Sequence, residues 1–154
     1  MFAEQPIIPS FTGSYAFLSN FYSAATMAEG IRYPTSEHAF QAMKTLDLEQ
    51  RQRIAEAPTP GRAKQLGRSV QLRPDWDSYR IEAMRQVLRS KFSDPLLRDQ
   101  LLATGDATLV EGNQHGDRFW GQVGSDGTNW LGRLLMELRA SIRSETPHRR
   151  SLFC

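Results

Sequence analysis

Apolar and polar residues divide the segment YPTSEHAFQAMK, residues 33–44, into two stripes at helical spacing. Residues at i, i+3, i+4 and i+7 share one face of a helix. The apolar stripe consists of Ala39, Ala42, Met43 and Leu46. The opposite stripe places an aromatic ring among polar groups and consists of Glu37, Phe40, Gln41 and Lys44. The pattern predicts a helix that begins at a Thr35 cap and ends near Leu46.

Capping and breaking residues predict the remaining elements. Two short extended runs on either side of Gly30 predict a hairpin before this helix. Thr59, Pro60 and Gly67 carry the signals of a helix that begins at proline and ends at glycine. Apolar periodicity predicts three further helices, at about residues 75–92, 94–105 and 129–143, and a short strand in ATLVEGN. The elements therefore predict a mainly α fold, a single compact multihelical domain with a few short β-strands.

Length and composition are those of one globular domain. The chain has 154 residues, of which 40% are hydrophobic and 23% are charged, so it can bury a sizeable core. We expect an irregular N-terminus over residues 1–10, the domain over residues 11–143, and a disordered basic tail over residues 144–154.

Composition also limits the possible cellular locations and binding partners of the protein. No apolar run has the length that a transmembrane helix needs, and the N-terminus lacks the charged and apolar regions of a secretory signal. The only cysteine, Cys154, has no partner for an intrachain disulfide, which fits a reducing cytoplasm. The net charge of +2 neither requires nor excludes nucleic acid, and no obligate protein partner is evident. We therefore expect a cytoplasmic protein without membrane contact.

The second stripe of the predicted helix has two interpretations. Glu37, Gln41 and Lys44 are spaced as the pairs of a solvent-exposed face. Alternatively the stripe lines a pocket, in which Phe40 supplies apolar surroundings and the backbones of Glu37 and Lys44 lie about 10 Å apart along the helix axis. Partial burial would lower the pKa of Lys44 and make its neutral amine a nucleophile, suited to forming a Schiff base with an aldehyde or ketone.

The glycine-rich segment 112–127 is the second candidate region. It is long for a loop in a compact domain, and such loops are commonly functional. Its large aromatic residues, among them Trp120, suggest a wall against which a flat ligand packs. Glu37 and Asp117 would also supply the two carboxylates of a conventional glycoside hydrolase. No metal-ligand spacing and no glycine-rich nucleotide motif occurs, so we expect no metal site.

Seven segments, in this order and spacing, resemble the NADAR family, whose YbiA-like members share this chain length. They are FLSNFY, YPTSEHAFQAMK, TPGRAKQLGR, DW at residues 75–76, LLATGDATLVEGN, DRFWG and GTNWLGRLLMELR. Each segment alone is common, but seven in order are specific, and together they extend over about residues 11–143.

The resemblance implies a mostly α domain that cleaves N-glycosidic bonds. Two substrate classes are associated with such proteins: ADP-ribose attached to guanine in nucleic acid, and the ribosylamino-pyrimidine phosphates of early riboflavin synthesis. The acid and the lysine of the family's helix motif fall on Glu37 and Lys44. The implied mechanism has Lys44 attack the anomeric carbon and form a Schiff base while Glu37 moves protons, without a metal or cofactor.

The resemblance also implies which residues hold the ribose, the phosphate or the base. These expected substrate-binding residues are Asn20, Tyr33, Trp76, Asp117, Trp120 and Asn129. The alternative from another functional class is a non-catalytic module that binds ADP-ribose or a nucleotide. Such a module has no need of a lysine on the pocket wall opposite an acid, so the sequence favours the enzyme.

Overall fold

The computed structural model describes the backbone of residues 5–151 and the side chains of residues 5–145, and it is mainly helical. Its elements are β1 (Ile7–Ile8), a 3₁₀ helix (Gly13–Leu18), β2 (Ser23–Ala28), β3 (Ile31–Thr35), α1 (Ser36–Ala42), α2 (Leu48–Ala55), α3 (Pro60–Gly67), α4 (Trp76–Lys91), α5 (Pro95–Ala103), β4 (Thr108–Leu109) and α6 (Trp130–Ser151). The predicted mainly α fold with a few short strands is confirmed. None of the helices described is both long and apolar enough to cross a membrane.

The chain forms two compact units. The central unit is Asn20–Asp94, and the terminal unit combines the chain up to Ser19 with the chain from Pro95 onward. The central unit therefore holds the β2–β3 hairpin and α1 to α4. The terminal unit holds β1, the 3₁₀ helix, α5, β4 and α6.

Helix α1 is buried on all sides within the central unit. It contacts α2, α3, α4 and both strands of the hairpin, and all of its residues are buried. Glu37 is 7% exposed and Gln41 is 4% exposed, so the stripe that contains them is not a solvent-exposed face. A helix covered on every side has to satisfy its polar side chains within the protein, which makes their partners informative.

Both ends of α1 are set by local side-chain chemistry. The predicted Thr35 cap is confirmed, since its hydroxyl accepts a 3.1 Å hydrogen bond from the backbone of His38. The predicted end near Leu46 is wrong, because α1 ends at Ala42 and Leu46 is 59% exposed. Asp47 instead caps α2 by accepting from the backbone of Gln50 at 2.9 Å. The chain therefore leaves α1 in a tight turn that contains Lys44.

The terminal unit differs from the sequence-based expectation at both ends. Strand β1 lies within the N-terminal ten residues that were expected to be irregular, and it pairs in parallel with β4, Ile7 opposite Thr108. Helix α6 runs to Ser151 although disorder was expected beyond residue 143. Within this extension, Glu145 lies 3.9 Å from Arg98 of α5. Residues 1–4 and 152–154, which include Cys154, lie outside the described residues.

Candidate active site

The two predicted catalytic residues lie on one stripe of the central unit. Glu37 is in the first turn of α1, where its backbone N–H donates to the carbonyl of Asn20 at 3.0 Å. Lys44 lies in the turn that follows the helix, and its N–H donates to the carbonyl of Gln41 at 3.2 Å. This i→i+3 bond keeps Lys44 in the turn that closes the helix, where the charge of Glu37 acts on its ammonium.

Gln41 orients the Glu37 carboxylate. Its Nε2 donates to Glu37 Oε1 at 2.8 Å, one helical turn away. Its own Oε1 is buried and has no hydrogen-bond partner among the described residues. Because a buried amide in this position has few other conformations available, the bond fixes the rotamer of the acid. Gln41 had no predicted part in the site, although its i+4 spacing from Glu37 in the sequence is the signal of this bond.

Lys44 is half-buried, and its surroundings favour the neutral amine. Burial lowers the pKa of the Lys44 ammonium below its ordinary value of 10.5. The negative charge of Glu37 opposes this effect, whereas the positive charges of Arg68 and Lys64 add to it. A larger fraction of Lys44 is therefore uncharged near neutral pH than for an exposed lysine, as a nucleophilic amine requires.

Burial and the neighbouring charges predict how Lys44 titrates. In ¹³C NMR of reductively methylated protein, the Lys44 resonance is expected to titrate below pH 10.5, since desolvation disfavours its charged form. Glu37→Gln removes the charge that raises this pKa and should move the midpoint lower still, whereas Arg68→Gln should move it higher. A midpoint at or above 10.5, or shifts of opposite sign in the two variants, would contradict this electrostatic account.

Helix α3 approaches the stripe at Gly67. A Cβ at this position would overlap the Oε1 of Gln41 and lie 2.8 Å from its Cδ. Gly67 is thus required by the close contact of α1 with α3, and it leaves space for the conformation in which Gln41 reaches Glu37. The predicted start of α3 is confirmed, with Thr59 accepting from the backbone of Arg62 at 3.0 Å.

Gly67→Ala therefore tests the Gln41 contact. Alanine favours helix by about 1 kcal/mol over glycine, but here the added methyl group should displace Gln41 and lower the free energy of unfolding by about 1–2 kcal/mol. Gly61→Ala is the matched control, because its Cβ would meet only Thr59 Oγ1, at 3.9 Å. Urea unfolding of both variants gives the comparison. If Gly67→Ala were as stable as Gly61→Ala, the contact would not constrain Gln41.

The other predicted residues of the central unit support the stripe rather than extend it. The Oδ1 of Asn20 accepts from the Ser36 hydroxyl at 2.9 Å, which fastens the start of α1. Tyr33 is fully buried, and burial raises the pKa of its hydroxyl to about 12. The ring of Trp76 packs on Phe40, with centroids 5.2 Å apart. Trp76 thus contacts a residue of the stripe through its ring.

The remaining predicted residues belong to the terminal unit. One carboxylate oxygen of Asp117 accepts from the backbone N–H groups of Phe119 and Trp120, at 3.1 and 2.9 Å. The Asn129 side chain accepts from the backbone of Glu111 and donates to the carbonyl of Leu109, at 3.0 and 2.9 Å. Asp117 therefore shapes the turn that carries Trp120, and Asn129 fastens the end of the loop to β4.

A cavity of about 280 Å³ adjoins the backbone of Lys44. It is lined by residues 45–47 and 71–74. The N–H of Arg73 donates to the Lys44 carbonyl at 2.7 Å, so this wall is joined to the turn after α1. Arg73 itself is paired with Asp75 at 2.6 Å. The side chain of Lys44 is not part of the lining, so the cavity flanks the candidate site and does not contain its amine.

Comparison with known proteins identifies the family. The model of the NADAR domain matches residues 10–143 of this chain. The chain belongs to the NADAR family. The NMR structure of the Escherichia coli protein YbiA matches it with a TM-score of 0.81 and 40% identity, over 94% of this chain and 89% of that chain. The NADAR resemblance and its fold are thereby confirmed.

Two relatives bear on the activity of this NADAR protein. N-glycosidase YbiA of Escherichia coli (strain K12) is 42% identical over 140 residues, which cover 88% of this chain and 87% of that protein. A riboflavin biosynthesis protein of Vibrio vulnificus is 39% identical over 139 residues. The aligned region is 88% of this chain but spans only 38% of the length of that relative. The prediction of a glycosidase enzyme is confirmed at the level of the family.

Proposed function

We propose that this protein hydrolyses the N-glycosidic bond between a ribose and a base, with Lys44 as nucleophile and Glu37 as general acid and base. One observation carries the proposal: a half-buried lysine whose pKa burial lowers shares a stripe with a buried carboxylate that Gln41 orients at 2.8 Å. Burial favours the neutral form of the lysine, which is the form that attacks carbon, and the hydrogen bond from Gln41 orients the acid. The name N-glycosidase borne by its relatives supports this reaction.

The proposed reaction divides one difficult bond cleavage into two easier steps. The Lys44 Nζ bonds to the anomeric carbon, the bond from that carbon to the ring oxygen breaks, and the ring oxygen takes up a proton. The carbon–nitrogen bond to the base then breaks, the leaving nitrogen takes up a proton, and an imine to Lys44 remains. Water adds to the imine carbon and releases the sugar and the free amine. Glu37 transfers protons at the ring oxygen or the leaving nitrogen.

We assign the remaining candidate residues either to binding the base or to positioning structural elements, according to their contacts. We assign Trp76, whose ring packs on Phe40 of the stripe, to the base, since an aromatic ring stacked on a base contributes about 1–3 kcal/mol. Asp117 supports Trp120 through its backbone. Asn20, Tyr33 and Asn129 are buried, and we assign them the positioning of α1, β3 and the glycine-rich loop.

Two substrate classes fit this chemistry. One is a ribosylamino-pyrimidine phosphate, which the riboflavin biosynthesis name of the Vibrio vulnificus relative supports. The other is ADP-ribose on guanine in nucleic acid. Each class would be incubated with the wild-type protein and with Lys44→Ala, and the released base would be measured by mass spectrometry. Release of base by the wild type alone is expected for one class. Tight binding of either compound without any release would instead show a non-catalytic binding module.

A further inference from the structure

Arg51 of α2 is a buried cation that binds the turn after α1. Its residue is 4% exposed, and its Nε donates to the carbonyl of Thr45 at 2.7 Å. Thr45 directly follows Lys44 in the chain and is fully buried. The guanidinium of Arg51 therefore holds the backbone next to the proposed nucleophile.

The same guanidinium also reaches the β2–β3 hairpin. Its Nη1 lies 2.5 Å from a carboxylate oxygen of Glu29. Glu29 lies in the two-residue turn between the strands and has a φ of 46°, in the left-handed region that favours glycine, asparagine or aspartate over glutamate. Since β3 leads directly into α1, Arg51 joins the segment before this helix to the turn after it.

The backbone of Lys44 is positioned by few hydrogen bonds. Helix α1 ends at Ala42, so Lys44 lies beyond the regular helix. The carbonyl of Lys44 accepts from the backbone N–H of Arg73 at 2.7 Å, and the next carbonyl, that of Thr45, accepts from Arg51. Loss of the Arg51 bond would release one of these two neighbouring carbonyls.

The contacts of Arg51 favour a role in geometry over one in stability. Its Nη2 is buried and has no hydrogen-bond partner among the described residues. A buried ion pair often stabilises a fold less than apolar side chains of similar volume do. What a guanidinium supplies and an apolar side chain lacks is a rigid set of directed N–H donors, here one for the turn and one for the hairpin.

We propose that Arg51 is a positioning residue for the proposed reaction, which holds the turn after α1 so that Lys44 keeps its amine on the stripe. Glu29 holds the guanidinium in place from the hairpin. Arg51 acts through the backbone of the turn and not on the reacting atoms. The inference rests on the proposed function, because it takes Lys44 as the nucleophile.

Arg51→Gln tests the proposal through the rate of reaction. Glutamine is shorter than arginine and carries no fork of donors, so it does not hold the Thr45 carbonyl and Glu29 together. We expect kcat to fall roughly 10- to 100-fold, since a misplacement of about 1 Å can slow a reaction by that factor. The rate is measured at a pH where Lys44 is neutral, with the substrate class that the wild type accepts.

Titration of Lys44 gives a readout that a loss of stability alone would not change. Burial lowers the pKa of Lys44 below 10.5, and in Arg51→Gln the loosened turn should admit water and move the ¹³C NMR midpoint up toward 10.5. Among the described residues, the charges that act on Lys44 belong to Glu37, Arg68 and Lys64. A shift in Arg51→Gln would therefore report the position of the amine and not the lost charge of Arg51.

Arg139→Gln is the matched control. Arg139 is 6% exposed and donates to the carbonyl of Ala107 at 2.8 Å, so it is also a buried arginine that holds a backbone carbonyl. It belongs to the terminal unit, whereas Arg51 and Lys44 belong to the central unit. Arg139→Gln should lower the melting temperature and leave the Lys44 midpoint unchanged, with both variants measured below their melting transitions.

Glu29→Gly provides a second variant, which decides the matter if Arg51→Gln does not fold. Glycine suits the φ of 46°, so the hairpin turn is kept while the carboxylate that holds Arg51 is lost. The Lys44 midpoint should again move up. The fall in kcat should be smaller, roughly 3- to 10-fold, because the bond from Arg51 to the Thr45 carbonyl is weakened and not removed.

The outcomes separate this inference from the proposed function. A wild-type midpoint or a wild-type kcat in Arg51→Gln would overturn the inference, as would either result in Glu29→Gly if Arg51→Gln does not fold. An equal midpoint shift in Arg139→Gln would overturn it as well. Full activity of Lys44→Met would instead refute the proposed nucleophile. The NMR midpoint, which needs no substrate, would then still decide whether Arg51 holds the turn.

Discussion

Lys44→Met is expected to lower kcat by roughly 10³-fold or more, because it removes the proposed nucleophile. Methionine fills the half-buried space of the lysine stem without supplying an amine. The prediction is checked with the substrate class that the wild type accepts, by measuring kcat and KM for released base. A loss confined to kcat is expected if Lys44 acts mainly in the chemical step.

Lys44→Arg separates nucleophilic from electrostatic roles. Arginine keeps the positive charge at the end of the stripe but does not lose a proton in the accessible pH range, so it cannot form the imine. It should be as inactive as Lys44→Met. If Lys44→Arg retained more than about a tenth of the wild-type kcat, Lys44 would act as a charge and the covalent mechanism would be wrong.

Glu37→Gln is expected to lower kcat by about 10²- to 10⁴-fold, the usual contribution of a general acid or base. Glutamine has the shape of glutamate and keeps an oxygen for the hydrogen bond from Gln41, so the buried stripe should stay folded. The measurement is kcat across pH with the same substrate. Glu49→Gln is the matched control, because Glu49 is an exposed acid on α2 that is paired with Arg53.

The direction of the pH effect distinguishes two roles for Glu37. Its charge raises the pKa of Lys44, so its removal increases the neutral fraction of the amine. If Glu37 acted only through this charge, Glu37→Gln would move the acid limb of the kcat/KM profile to lower pH and preserve the maximal rate. Loss of the maximal rate at every pH is the result that proton transfer predicts.

The two-carboxylate alternative makes the opposite prediction for Lys44. A hydrolase that used Glu37 and Asp117 would keep substantial turnover in Lys44→Ala and lose it in Asp117→Asn. In the structure, Asp117 accepts hydrogen bonds from the backbone of Phe119 and Trp120. Since this is the role of a residue that shapes a turn, Asp117→Asn is expected to keep substantial turnover.

Helices whose first residues are preceded by a capping side chain were predictable from the sequence. Thr35 caps α1 and Thr59 caps α3, each through its own hydroxyl, so the signal and the structure lie within three residues. The sequence did not predict helix α2, because its apolar periodicity is weak. Of its eight residues, Arg51 and Ile54 are buried. The early end of α1 follows from the same omission, since Asp47 starts the next helix.

The sequence predicted the residues that share the face of the candidate site but not the helix that packs on this face. Spacing shows that Glu37 and Lys44 share a face, but it does not show what covers that face. The cover comes from α3, which approaches because Gly67 has no side chain, and this contact joins segments 26 residues apart in sequence, Gln41 to Gly67. Lys64 and Arg68 therefore had no sequence signal that linked them to Lys44, whereas Gln41 had one in its spacing.

Borohydride trapping during turnover tests the central claim most directly. The chain contains three lysines, Lys44, Lys64 and Lys91, and Lys91 is fully buried, so peptide mass spectrometry assigns an adduct without ambiguity. With a ribosylated base under turnover, borohydride is expected to inactivate the enzyme and leave the mass of the reduced sugar on Lys44. Continued release of base with no adduct on Lys44, or an adduct found only on Lys64 or Lys91, would contradict the account.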